Sequence, residues 1–263
     1  MKTSQITLAT VLALSALPSL AQTAAPAPTP AAAPDYTLTG NLGIFSDYRF
    51  RGISQTNKHP AIQGGIDFAM QNGLYLGNWN SNVDSSQYNG ANIEMDFYGG
   101  WKATFGDFGL DIGGIYYYYP GTGANPAAFD VKNAELYIGG SWGPLAAKYY
   151  YAVTDFFGAP DSDGSWYVNL AAKHDFGNGF GVNASIGYQG LKGGAAVTEI
   201  GGNVTDSITD YKLGGTYTID GWVLGLAYVA TNRDLPGYST AVQTNPNRNI
   251  SNGTALVSVS KSF

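Results

Sequence analysis

Residues 93–119 read IEMDFYGGWKATFGDFGLDIGGIYYYY, and they alternate. From Ile93 every second residue (Met95, Phe97, Gly99, Trp101, Ala103, Phe105) is apolar, aromatic or small, while Glu94, Asp96, Tyr98, Lys102 and Thr104 fall between them. A period of two puts one set on each face of an extended strand. Gly106-Asp107 permits a tight hairpin turn. Phe108, Leu110, Ile112, Gly114, Tyr116 and Tyr118 then resume the apolar face. With a two-residue turn Phe105 faces Phe108 and Lys102 faces Asp111, so opposite charges meet across the pair. The same hairpin, with variations, fills the chain from residue 35 onward.

Twelve strands are predicted, over about 36–46, 62–70, 74–81, 93–105, 108–118, 132–142, 145–153, 166–173, 180–188, 211–219, 222–228 and 253–263. Two have an open orientation. In 74–81 Tyr75 and Trp79 share a face of unassigned polarity, and in 222–228 both faces are apolar. Short connections at 71–73, 106–107, 143–144, 176–179 and 220–221 alternate strictly with long polar ones at 47–59, 82–91, 120–131, 154–164, 190–207 and 231–252. That asymmetry belongs to an all-β, up-and-down antiparallel transmembrane barrel of the outer membrane, with tight periplasmic turns and longer external loops. An even strand number puts both termini in the periplasm. Phe105, Phe108, Trp142, Phe180, Trp222 and Phe263 lie beside the short turns, and Tyr118, Tyr151, Trp166, Tyr188, Tyr211 and Tyr228 beside the long loops. They form two interfacial girdles. A soluble barrel or sandwich does not need both full-length apolar stripes and two aromatic rings.

Composition agrees. Only 12% of the 263 residues are charged, and there are 36 Gly, 19 Tyr and no Cys. The chain therefore has no disulfide framework and no thiolate metal site. A net charge of −6 argues against nucleic acid as a partner. Residues 1–21 read as a secretory signal, with Lys2 ahead of an apolar stretch and Ser19-Leu20-Ala21 at the cleavage site. Residues 22–34 are an Ala/Pro linker, and 35–263 the barrel.

Two passages carry a resemblance. SDYRFRGISQTNKHPAIQGGIDF (46–68) resembles the signature region of the TorF-type porins of proteobacteria, and NWNSNVD (78–84), EMDFYGGW (94–101) and YYYYPG (116–121) fit the same family. The terminal VSVSKSF resembles the strand read by the barrel-assembly machinery, with Phe263 as its signal and Lys261 where an aromatic is commoner. The resemblance implies an outer-membrane channel, surrounded by lipid and lipopolysaccharide and passing small solutes.

Alternation points Asp67, Glu94, Asp96, Asp111, Glu135, Asp175 and Asp210 inward, against Lys102, Lys148, Lys173 and Lys212. The acids outnumber the bases, so a mild cation preference is expected, with Glu94 and Asp96 the least compensated pair. Arg49, Arg51 and Lys58 fall at the external mouth. They form either a basic patch or structural pairs with Asp47 and rim carboxylates.

No catalytic set, cofactor or metal site is expected. Gly139-Gly140-Ser141-Trp142-Gly143 matches the nucleophile-elbow pattern, but it runs from a strand into a Pro turn rather than a helix. His59 and His174, the only histidines, fall at opposite ends of the barrel. A barrel phospholipase is thus the weakest alternative. A non-conducting structural or adhesive barrel, closed by inward Tyr98, Tyr117, Tyr137, Tyr150 and Tyr167 or by an inward-folded loop, is the stronger one. Self-association is left open by the sequence.

Overall fold

The computed structural model describes residues 35–122, 130–240 and 243–263. The expected signal and linker, 1–34, lie outside the described residues. Twelve strands close into one antiparallel barrel: β1 Tyr36–Phe45, β2 Ala61–Met70, β3 Leu74–Asn82, β4 Ile93–Phe105, β5 Phe108–Tyr118, β6 Lys132–Trp142, β7 Leu145–Ala152, β8 Trp166–Asp175, β9 Phe180–Gly190, β10 Ser207–Ile219, β11 Trp222–Thr231 and β12 Thr254–Ser262. Each pairs with its sequence neighbours, and β1 closes the ring on β12 with Asn41 opposite Ser262. Closure leaves no free sheet edge in the barrel. No described helix is long and apolar enough to cross a membrane.

The register follows from the turns. Phe105 stands opposite Phe108 and Lys102 opposite Asp111, as the two-residue turn requires. Asp220 and Gly221, at φ 50° and 78°, supply the two left-handed residues of a type I′ turn.

Large apolar side chains lie outside. Leu42, Ile66, Leu136, Leu170, Leu213 and Leu226 are all exposed, while Tyr75, Tyr98, Tyr117, Tyr137 and Tyr167 are buried inside. The two open orientations resolve. β11 turns Trp222, Leu224, Leu226 and Tyr228 outward and buries Val223 and Val229. β3 turns Tyr75, Trp79 and Ser81 inward, leaving Leu74, Leu76, Asn78, Asn80 and Asn82 on the outer face. β10 begins at Ser207, before the expected 211. Its first turns invert the barrel rule, because buried Ile208 joins a loop cluster above the apolar band.

The connection 46–60 does not stay outside. It folds into the barrel and carries a small ribbon, Arg49–Phe50 paired with Ile53–Ser54. Phe50 packs on a cluster built around Tyr48, Trp79, Tyr88, Tyr117 and Tyr119. Ile53 packs on a second, around Leu191, Ile208, Leu235 and Ile250. The loop thus bridges two clusters on different parts of the wall.

Candidate functional site: the lumen and its crossing loop

The inner wall has two halves. From β2 to β8 it carries the tyrosines and most of the charges, whereas β9 to β12 present small residues such as Ser185, Gly214, Ala227 and Ser258. On the crowded half a single device recurs. Tyr98 on β4 lies over Gly77 of β3 and donates to Asp67 on β2 at 2.6 Å. Tyr75 on β3 passes Gly100 of β4 and donates to Asp111 on β5 at 2.6 Å. Tyr167 on β8 passes Gly187 of β9 and donates to Asp210 on β10 at 2.9 Å. Lys148 on β7 crosses Gly139 of β6 to reach Asp111 at 2.8 Å. Each long side chain spans the intervening strand because glycine leaves it room; a Cβ on Gly77 would stand 2.1 Å from the Tyr98 ring. The acceptors are carboxylates, so the bonds that reach them are charge-assisted and strong.

The crossing loop ends in Arg51-Gly52, with φ 47° and 81°. This is again a type I′ tip, where Asn-Gly is usual and a non-glycine residue in the left-handed region is strained by about 1 kcal/mol. The guanidinium accounts for the choice. Arg51 donates to Glu135 Oε2 at 2.6 Å and to Gln189 Oε1 at 2.5 Å. Its Cζ stands 4.3 Å from the Tyr167 ring centroid, 4.7 Å from Phe50 and 5.3 Å from Tyr150. The side chains of Arg51 and Glu135 are 7% and 0% exposed. Aromatic faces and a desolvated carboxylate both favour a planar cation there.

Arg49 anchors the loop to the rim. It pairs with Asp47 at 2.6 Å and donates to the Ile250 carbonyl at 3.1 Å and to Thr254 Oγ1 at 2.8 Å. Lys58 donates to Asn252 Oδ1 at 2.5 Å. Partial burial and then the nearby Arg49 charge lower its pKa from the usual lysine value.

These placements correct three expectations. Arg51 is buried at the outer end of the lumen in a structural pair with Glu135, not exposed in an open basic patch, because the tip of its loop folds inward. Glu94 and Asp96 point inward but are only 1% and 6% exposed, being covered by the packed loop. Glu94 accepts from Tyr48 of that loop at 3.1 Å. Asp111 faces Lys102 in register, yet its ion pair is with Lys148. Tyr75 has taken one Asp111 oxygen, and Lys102 Nζ sits 4.3 Å from the Tyr75 ring centroid. Glu135, Lys148 and Lys212 lie on the inner face. Sequence reasoning missed the tyrosine bridges; the available signal was inward Tyr with glycine at the facing position of the next strand.

Residues 29–263 match the profile of Gcw_chp, described as a bacterial protein family of unknown function. No curated protein matches the chain. Among solved structures the barrel is similar to the NanC porin, at a TM-score of 0.54 and 10% identity over 86% of this chain and 99% of that one. It is also similar to the KdgM porin, at 0.50 and 10% over 86% and 98%. The KdgM porin in complex with disordered oligogalacturonate gives 0.50 and 9% over the same shares. At such identities the likeness is one of fold.

Proposed function

Because the chain belongs to the Gcw_chp family and folds as porins do, we propose that it is an outer-membrane channel for passive diffusion of small solutes or ions. The reading has it exported by its leader, with both termini periplasmic, in keeping with the TorF-type resemblance. One observation supports it above the rest: a closed barrel with its large apolar side chains outside and a polar, partly small-residue wall within. A soluble protein places these the other way round.

A mild preference for cations and neutral solutes goes with this reading. Oligogalacturonate, present with KdgM, is anionic, whereas the inward charges here are mainly acidic. Glu94 and Asp96 are covered, so the field in the bore falls to other acids. Asp67, only partly buried, accepts from Tyr98 and has no ion pair among the described residues. The preference should fade with salt, since the Debye length is about 10 Å at 0.1 M.

The test is single-channel recording in planar bilayers, with the reversal potential taken across a KCl gradient. The natural protein should conduct and favour K⁺. Asp67→Asn should move the potential toward zero, and Glu94→Gln with Asp96→Asn should move it less. Anion preference in the natural protein would overturn the charge assignment. Absence of conductance would favour the second reading, a non-conducting structural barrel, which the loop inside the lumen supports.

A further inference from the structure

The apolar outer face is interrupted in one place. Asn78, Asn80 and Asn82 of β3 all point outward. Asn78 is the central residue of that strand, flanked in register by Ile66 and Phe97; Asn80 stands between Gly64 and Met95. Among the described residues, no other barrel strand turns a polar side chain outward in its central part. The asparagines of the NWNSN run thus belong to the outer surface of the barrel, and Asn78 to the part that the proposed reading puts against hydrocarbon.

An amide in hydrocarbon is costly unless its hydrogen bonds are made. The barrel makes some of them. Asn78 donates to the Asp96 carbonyl at 3.0 Å and accepts from Asn80 at 2.6 Å. Asn82 accepts from the Ile62 N–H at 2.7 Å and donates to the Pro60 carbonyl at 3.2 Å. An Asn amide carries two N–H donors and two acceptor lone pairs. Asn78 and Asn82 therefore each retain a donor and an acceptor beyond these bonds, and those of Asn78, at mid-strand, face acyl chains that cannot meet them.

We propose that the β2–β4 face is the interface of a homodimer, with the Asn78 and Asn82 amides bonding across it. A second copy fits these groups by identity. An amide is its own complement, and copies inserted in the same direction bring each asparagine to the same depth around a two-fold axis along the membrane normal. A different protein would need a matching stripe at that depth.

The inference rests on membrane insertion but not on conduction, so its test reads association instead of current. The natural chain has no Cys, which leaves engineered thiols unambiguous. Ile93→Cys, outward beside Asn82, should yield a dimer-mass band with a short bismaleimide in outer-membrane vesicles. That band should be several-fold stronger than for Tyr188→Cys near the outer end of β9. Light scattering in mild detergent should show the natural protein as a dimer. Asn78→Leu with Asn82→Leu should make it a monomer that still shifts on gels after heating, the sign of an intact barrel. Equal cross-linking at both sites, a product of another mass, or a natural protein already monomeric would each overturn the dimer.

Discussion

Arg51 shows what a single residue can hold. Arg51→Ala would leave the Glu135 carboxylate buried without its cation, which costs about 3–5 kcal/mol when a buried pair is broken. The urea midpoint of the refolded barrel should fall accordingly, and single-channel conductance should rise as the tip loses its anchor. Arg51→Lys should lie between, since it keeps the charge and loses the fork. An unchanged midpoint for Arg51→Ala would mean that the tip is held by packing alone. Gly77→Ala offers a second check, because the added Cβ collides with the Tyr98 ring. A loss of about 1–3 kcal/mol is expected from such overpacking, and a neutral result would remove the tyrosine-over-glycine bridge. The sequence shows that Lys102 and Asp111 face each other, because a two-residue turn sets that register. It does not show that Lys148 wins Asp111, because that contact crosses a strand and depends on Gly139 leaving room.

Individual strands were legible where one face was uniformly greasy. β4 to β8 have that pattern. β11 does not, since Val223 and Val229 are apolar yet inward, and its direction came from pairing with β10 and β12. β3 misleads in the opposite sense, with its two buried aromatics inside and asparagines outside. The parity can be measured. Leu170→Arg, at an exposed outward position, should cost about 2–4 kcal/mol, as charges do near a bilayer midplane. Asn169→Arg on the inner face should cost much less in transfer, read as urea midpoints in vesicles; equal penalties would reverse the orientation of β8. At β12, Phe263 exchanges backbone bonds with Gly40 at 2.7 and 2.9 Å, and its ring lies where a Cβ on Gly40 would be. Deleting Phe263 should therefore lower the yield of assembled, heat-modifiable barrel, and full yield would show that closure does not need it.

At the scale of the whole molecule, strand number, strict alternation of short and long connections and closure were all readable, because turn chemistry and period two are local. The inward loop was not. Its composition is that of any polar loop, and its partners are set by the finished barrel. Those partners are far away along the chain: Arg51 bonds residues 84 and 138 positions distant, and Arg49 one 205 away. Bringing such distant pieces together is entropically late work. Early hairpins have nothing for Arg51 to bind, so the loop should seat only when nearly every strand is in place. Seating then acts as a clock for assembly. During refolding into vesicles, trypsin cleavage at Arg49 and Arg51 should persist until the heat-modifiable band forms, and disappear with the same rate constant. Protection that came earlier would mean that the loop organises the strands, rather than waiting for them.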